Sequence, residues 1–135
     1  MEIRPFREGE EETVIALWTT CGLVVPQNNP HRDIQLKLQI HPELFLVGLV
    51  DSQIVASLMA GYEGHRGWLN YLAVSPDHRS QGFGRQMVGF ATERLIEMGC
   101  PKINLQIRSS NTQVIEFYKR IGFTVDEVIS MGKRL

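Results

Sequence analysis

Residues 72–84 read Leu72-Ala73-Val74-Ser75-Pro76-Asp77-His78-Arg79-Ser80-Gln81-Gly82-Phe83-Gly84. A strand-like apolar run, residues 68–74, leads into this stretch, and a helix-like run, residues 84–98, follows it. The first backbone N–H groups of a helix have no intrahelical partners and carry partial positive charge, so such a junction favours an anion. The two glycines lack the Cβ atoms that would keep a phosphate from the backbone. The stretch therefore predicts a phosphate-binding loop between a strand and a helix.

The known phosphate-binding motifs differ from this loop at identifiable positions. A P-loop requires Lys and then Ser or Thr after its second glycine, whereas Arg85 and Gln86 follow Gly84. A dinucleotide-binding loop requires a small residue at position 87, which is Met. We therefore expect neither nucleotide hydrolysis nor dinucleotide binding. A plain glycine-rich turn is the alternative interpretation of the loop.

Strands and helices alternate in the pattern of the remaining chain. Hairpin-like strands come early and helical crossovers come late, which predicts one α/β (α+β) domain over residues 1–135, with a mixed sheet and helices on both faces. The predicted strands are residues 2–6, 44–50, 53–62, 68–74, 102–107 and 125–131, and the predicted helices are residues 9–18, 31–40, 84–98 and 111–121.

Composition excludes several classes of partner. The 14 Lys and Arg residues against 15 Asp and Glu residues leave a formal charge of -1, so we expect neither nucleic acid nor a membrane as partner. The two cysteines show no metal-ligand spacing, and no metal is expected. Residues 1–12 contain five glutamates and no apolar signal segment, and no window has the apolar length of a membrane span. We expect a soluble, cytoplasmic protein.

Two separate stretches resemble one known family. The loop Arg79-Ser80-Gln81-Gly82-Phe83-Gly84 resembles the acetyl-CoA loop of the GNAT superfamily of N-acetyltransferases. Asn111, Tyr118 and Gly122-Phe123 have the spacing of the Asn-x6-Tyr-x3-Gly-Phe stretch of that family. Residues 1–6, 62–67, 99–103 and 132–135 resemble the small bacterial YpeA-type acetyltransferases. The resemblance implies a single-domain GNAT-like acyl-CoA N-acyltransferase fold, with a mixed, mostly antiparallel sheet flanked by helices.

The resemblance also implies an activity and a donor site. The protein is expected to bind acetyl-CoA and to transfer its acetyl group directly to a primary amine of a small molecule or peptide. Tyr118 is the expected general acid for the departing thiolate, although its spacing also suits core packing. The expected cofactor-binding residues are Leu72, Ala73, Val74, Arg79, Ser80, Gln81, Gly82, Phe83, Gly84, Arg85 and Asn111. Asn111 also suits a helix N-cap, and one side chain can serve both roles.

The general base is harder to assign. Gln106 stands where some relatives carry a catalytic glutamate, and an amide cannot take a proton. Glu63 or His65, in the turn before residues 68–74, is the nearest titratable candidate, although turn residues are usually solvated. A water chain held by Asn70 or Tyr71 is the alternative.

The acceptor amine has no motif of its own. In the family it usually meets the first two helices, the loop between them and the turn at residues 62–67. The candidate substrate-binding residues are Asn28, Asn29, Arg32, Arg66 and Asn70, each of which also suits an ordinary solvated position.

Two alternatives complete the predictions. A non-catalytic CoA-binding module, regulatory or partner-binding, is the rival function, and Gln106 favours it. A homodimer is also expected to be possible if the predicted strand at residues 125–131 is exposed, because an open strand edge can pair with a second chain.

Overall fold

Two groups of elements, Met1–Leu105 and Gln106–Leu135, make up the computed structural model, which describes residues 1–135. The first unit contains β1 Glu2–Pro5, α1 Glu11–Thr20, α2 Pro30–Lys37, β2 Phe45–Val50, β3 Gln53–Tyr62, β4 Gly67–Val74, α3 Phe83–Glu97 and β5 Ile103–Asn104, with short 3-10 turns at Pro42–Leu44 and Pro76–His78. The second unit contains α4 Thr112–Arg120.

The sheet of the first unit has the strand order β1-β2-β3-β4-β5. The first three pairings are antiparallel, and β4 and β5 are parallel. Asp51 and Ser52 turn between β2 and β3 with φ of 49° and 64°, as a tight hairpin requires. The predicted hairpin and the mixed, mostly antiparallel sheet are confirmed.

Helices pack on both faces of this sheet. On one face, Trp18 of α1 donates its indole N–H to Ser57 Oγ at 2.8 Å, and Met59 lies in the same core. On the other face, a Cβ on Gly48 would lie 3.0 Å from Met87 Sδ of α3 and 3.2 Å from Ala56 Cβ. Because successive strand residues point to opposite faces, α1 and α3 lie on opposite sides, as predicted.

The second unit is built around α4. Asn111 is the N-cap, and its side-chain oxygen accepts from the Val114 N–H at 3.4 Å. Gly122, with φ of 104°, follows the last turn, which is a common helix end. Tyr118 is buried, and the rings of Phe117 and Phe123 pack edge-on against it.

Three predicted elements differ most from the structure, and the helix predicted at residues 9–18 lies two residues later, at Glu11–Thr20. The predicted strand at residues 125–131 is wrong: this segment is irregular, and Val125, Val128 and Ile129 are 75%, 77% and 89% exposed. Of the strand predicted at residues 102–107, only Ile103–Asn104 is a strand in the structure. The helix predicted at residues 31–40 begins at Pro30 and ends at Lys37. The strand on which the homodimer expectation rested is therefore absent.

No helix of this chain combines the length and the apolar composition that a membrane crossing requires.

Candidate active site

β4 contains a bulge in its second half. Ser57 pairs with Ala73 and Met59 pairs with Asn70, so Tyr71 and Leu72 together stand opposite a single β3 residue. Tyr71 has φ of 55°, in the left-handed region that bulky residues rarely adopt. A bulge interrupts the hydrogen-bond ladder and turns a side chain away from its regular direction. It therefore creates an irregular backbone site within an otherwise regular sheet.

Side chains from α1 and α2 hold this bulge. Ser57 Oγ donates to the Tyr71 carbonyl at 3.0 Å while it accepts from the Trp18 indole N–H. The rings of Tyr71 and Trp18 stack with centroids 3.9 Å apart. The Tyr71 hydroxyl donates to Asp33 Oδ2 at 2.6 Å, and burial, then this hydrogen bond, raises the pKa of Tyr71. The unusual backbone conformation is thus fixed from two helices.

Ser57→Ala should lower the free energy of unfolding by about 2 kcal/mol. The substitution leaves the buried Trp18 N–H and the Tyr71 carbonyl without their shared partner, and a buried unsatisfied group costs ~1–3 kcal/mol. Urea unfolding measures the loss. Ser109→Ala, at an exposed position, is the matched control and should change stability by less than ~0.5 kcal/mol. Equal midpoints for both variants would show that the Ser57 hydrogen bonds do not stabilise the bulge.

One edge of β4 is open beyond its first residues. β5 pairs with β4 only at Gly67 and Trp68. The edge of Leu69–Val74 that faces β5 therefore has no strand partner in the first unit, and no strand ladder occupies the backbone groups of that edge. This open edge includes the bulge.

The loop after β4 leads into the N-terminus of α3. Ser80 and Gly82 have φ of 63° and 81°, and Gly82 is the N-cap of α3. The N–H groups of the first helical turn have no intrahelical partners, and no acidic residue lies there. A Cβ on Gly82 would meet no atom within 4 Å, so the loop is open on this side. The geometry fits an anionic group such as a pyrophosphate.

Arg79 connects this loop to the end of β4. Its Nε donates to the Val74 carbonyl at 3.2 Å, and its Nη2 lies 3.6 Å from the Sγ of Cys21, the residue that follows α1. A guanidinium has five N–H donors, so several are left for a ligand. The arrangement keeps a positive charge between the open edge and the loop.

Tyr118 and Asn111 belong to the second unit. Burial raises the pKa of Tyr118 to about 12, so the hydroxyl carries its proton at neutral pH. Asn111 uses its oxygen for the helix cap, which leaves its NH2 group able to donate elsewhere. Gln106, also in this unit, hydrogen-bonds Ser130 through its amide NH2.

Residues 11–123 match the acetyltransferase (GNAT) family. This match spans most of the chain, and it covers both the loop before α3 and the Asn111 to Phe123 stretch. The chain belongs to the acetyltransferase (GNAT) family. The expected fold and the expected class of enzyme, an N-acetyltransferase, are thereby confirmed.

Individual relatives agree with this assignment. An uncharacterized N-acetyltransferase of Yersinia pestis is 45% identical over 135 residues, which cover 100% of this chain and 96% of the relative. The structure of Ard1 from Thermoplasma volcanium has a TM-score of 0.84 at 22% identity, covering 93% of this chain and 83% of Ard1. The aminoglycoside N-acetyltransferase AAC(6')-Iy, solved with CoA, has a TM-score of 0.76 at 18% identity, and the match covers 99% of this chain and 100% of AAC(6')-Iy. The two structures show that this acetyltransferase shares their fold.

The structure of this acetyltransferase does not bring the predicted base candidates to the bulge. Glu63 and His65 are exposed in the turn between β3 and β4, where the Glu63 carboxylate accepts from the Arg66 N–H. The turn joins the opposite end of β4: Gly67 and Tyr71 are four residues apart, or about 13 Å along a strand. Arg66 lies in the same turn and donates to the His65 carbonyl at 3.0 Å.

The predicted acceptor residues of the first helices are placed differently. The Asn28 side chain interacts with the Tyr71 hydroxyl, at the bulge. Asn29 caps α2 by accepting from the Arg32 N–H at 3.1 Å. Arg32 and Asn70 are exposed, on α2 and β4. Of these residues, Asn28 has a contact at the bulge.

Two charged residues of α2 are missing from the sequence-based candidates. Asp33 Oδ2 accepts a hydrogen bond from the Tyr71 hydroxyl, and Lys37 lies one helical turn further along α2. The sequence contains one signal for them: Asp33 and Lys37 are four residues apart in a predicted helix, and residues at that spacing share a helix face. The contact with Tyr71 joins residues 38 positions apart and could not be read from local pattern.

Proposed function

We propose that this acetyltransferase moves the acetyl group of acetyl-CoA directly to a primary amine of a small molecule or peptide, with both substrates bound together. The observation that carries the proposal is the open edge of β4, with its bulge at Tyr71, leading directly into the N-terminus of α3. An extended ligand with a pyrophosphate at one end and an acyl group at the other fits such an arrangement. The CoA in the AAC(6')-Iy structure supports this donor.

The donor site would be built from backbone groups and the loop. Leu72, Ala73 and Val74 would hold the pantetheine arm along the open edge. The family resemblance assigns the side-chain amide of Asn111 to the same arm. The pyrophosphate would meet the N–H groups of the loop and first turn of α3, with Arg79 and Arg85 adding positive charge. The loop residues assigned to this role are Arg79, Ser80, Gln81, Gly82, Phe83, Gly84 and Arg85.

The bound donor supplies an electrophilic thioester carbonyl. A backbone N–H at the β4 bulge would donate to the carbonyl oxygen as negative charge develops there, a contribution worth ~3 kcal/mol in related acyl transfer. Tyr118, in the role that the family resemblance gives it, would donate its proton to the departing sulfur. Its pKa of about 12 means that the proton is present at neutral pH.

The amine must lose a proton before it attacks. An amine with the pKa of lysine is ~0.1% neutral at pH 7, and freeing its lone pair costs about 4 kcal/mol. Glu63 and His65 lie at the other end of β4, so we route this proton to water held at the Tyr71 hydroxyl. The carboxylate of Asp33, hydrogen-bonded to that hydroxyl, lies beside the path.

Release of free thiol from acetyl-CoA tests the proposal. Purified protein would be assayed with peptides, polyamines, amino acids and aminoglycosides, the last because AAC(6')-Iy acts on that class. We expect turnover with at least one amine and an initial-rate pattern of intersecting lines, as a ternary complex requires. Saturable CoA binding without turnover on the whole panel would instead favour the non-catalytic CoA-binding module.

Further features belong to the same proposal. We place the protein among the YpeA-type acetyltransferases of bacteria, acting in the cytoplasm as a single catalytic domain over residues 1–135. The near end-to-end similarity to the uncharacterized N-acetyltransferase of Yersinia pestis supports the single catalytic domain, and the YpeA-type assignment rests on the resemblance of residues 1–6, 62–67, 99–103 and 132–135. The exposed apolar segment at residues 125–131 supports a homodimer, which light scattering tests.

A further inference from the structure

Asp33 and Lys37 lie on the same face of α2. They are four residues apart, a spacing that brings helix side chains together with Cβ atoms about 6 Å from each other. Ile34, buried at the neighbouring position, packs this side of α2 against the core. Both charged side chains therefore border the sheet rather than the solvent side of the helix.

Asp33 places a carboxylate at the bulge. One oxygen, Oδ2, accepts from the Tyr71 hydroxyl at 2.6 Å. A carboxylate has about four acceptor positions, so the group can accept further donors beyond Tyr71. The partly buried carboxylate thus lies beside the backbone where the acetyl group is proposed to be transferred.

Lys37 places an ammonium further along the same face. Its Nζ lies 3.8 Å from the position that a Cβ on Gly61 would occupy. Gly61 shares its strand face with Ser57 and Met59, because alternate residues of a strand point the same way. The ammonium therefore extends over the sheet at a position where β3 has no side chain.

The ammonium of Lys37 has no carboxylate at ion-pair distance. The Glu43 carboxylate raises the pKa of Lys37 from a longer distance, and its own close partner is His41 Nδ1 at 3.1 Å. Burial, only partly offset by Glu43, lowers the pKa of Lys37. A partly desolvated cation without a partner favours an incoming anion.

We propose that α2 selects acceptors that carry both an amine and an anionic group, such as amino acids and short peptides with a free carboxylate. Asp33 receives the ammonium beside Tyr71, and Lys37 receives the carboxylate over Gly61. This inference rests on the proposed function, since it assigns the acceptor of the same acetyl transfer. It makes Asp33 and Lys37 specificity-determining residues.

Matched pairs of acceptors test the role of Lys37. The probes are glycylglycine against glycylglycinamide, and Nα-acetyllysine against Nα-acetyllysinamide, which differ only in the carboxylate. For at least one pair we expect kcat/KM to be about tenfold higher for the carboxylate member, chiefly through KM, as one charge-assisted hydrogen bond provides. Lys37→Met should remove that preference by weakening the carboxylate member alone, and Lys37→Arg should retain it. Lys133→Met, on the exposed C-terminal segment, is the matched control.

Asp33→Asn tests the other half of the site. A neutral amide attracts an ammonium less than a carboxylate does, so kcat/KM should fall about tenfold for every acceptor, with CoA affinity unchanged. Equal kcat/KM for both members of both pairs, or equal losses on both members in Lys37→Met, would overturn the assignment of Lys37. An unchanged kcat/KM in Asp33→Asn would overturn that of Asp33.

Binding separates this inference from the proposed function. Calorimetric titration of the four probes into CoA-loaded protein needs no turnover. A preference for the carboxylate members that depends on Lys37 would support the acceptor site even if no acetylation occurs, in which case the catalytic proposal alone fails. Binding without any such preference would overturn the acceptor assignment.

Discussion

Gly82→Glu should abolish measurable CoA binding. Gly82 is the N-cap of α3, and the proposed pyrophosphate meets the N–H groups that follow it. A carboxylate at about 5 Å from a phosphate charge costs ~3 kcal/mol at an effective dielectric constant of ~20, which weakens binding more than a hundredfold. The φ of 81° also costs ~1–2 kcal/mol of backbone strain for any residue with a Cβ, which lowers the free energy of unfolding rather than the affinity for CoA. Calorimetric titration with CoA measures the loss.

Two further variants separate charge from strain. Gly82→Ala introduces the strain without the charge and should retain most of the affinity. Gly99→Glu introduces the same charge at the other end of α3, at a glycine with φ of 87° and no neighbour within 4 Å of its Cβ position. It should bind CoA as the unaltered protein does. Undiminished CoA affinity in Gly82→Glu would refute the assignment of the loop.

The loop and α3 were predictable because their signals are local. Met87, Ala91 and Leu95 recur at helical spacing and are all buried, and Gly99 in the left-handed region follows the helix. The glycine-bearing loop lies between a strand and a helix that the pattern places correctly. Each of these features depends on residues within about one or two helical turns of one another.

The bulge at Tyr71 depends on contacts that local pattern does not contain. It is held by Trp18 through Ser57, residues 39 positions apart, and by Asp33, 38 positions from Tyr71. The sequence of β4 reads as an ordinary apolar strand. For the same reason the sequence offers Glu63 and His65, which are near β4 along the chain, as candidate bases, and it does not reveal the contact of Asp33 with Tyr71.

The wrong strand at residues 125–131 shows the opposite error. Val125, Val128 and Ile129 have high strand propensity, but propensity without a partner strand does not make a strand. The β5 strand was similarly overestimated, because only Ile103 and Asn104 find partners on β4. Strand prediction from one sequence fails where pairing with another strand, which is a tertiary property, decides whether a segment becomes a strand.

Tyr118→Phe should lower kcat about a hundredfold with little change in the affinity for CoA. General acid catalysis contributes ~10²–10⁴-fold, and the substitution removes the proton while it keeps the ring between Phe117 and Phe123. Steady-state kinetics with a good acceptor, together with calorimetric CoA titration, measures both quantities. Thr92→Val, which removes a hydroxyl bonded to the Val88 carbonyl within α3, is the control and should retain full turnover.

The pH dependence distinguishes an acid role of Tyr118 from a packing role. Burial raises its pKa from 10.0 to about 12, so the protonated form is present below pH 10 and is lost only as the pH rises towards 12. Between pH 7 and 10 the ratio of the kcat values of unaltered protein and Tyr118→Phe should therefore stay constant. At higher pH, within the range where both proteins stay folded, the ratio should fall because the unaltered protein loses the same proton. A kcat unchanged by the substitution throughout this range would remove Tyr118 from the chemistry, since the phenyl ring preserves everything except the donor.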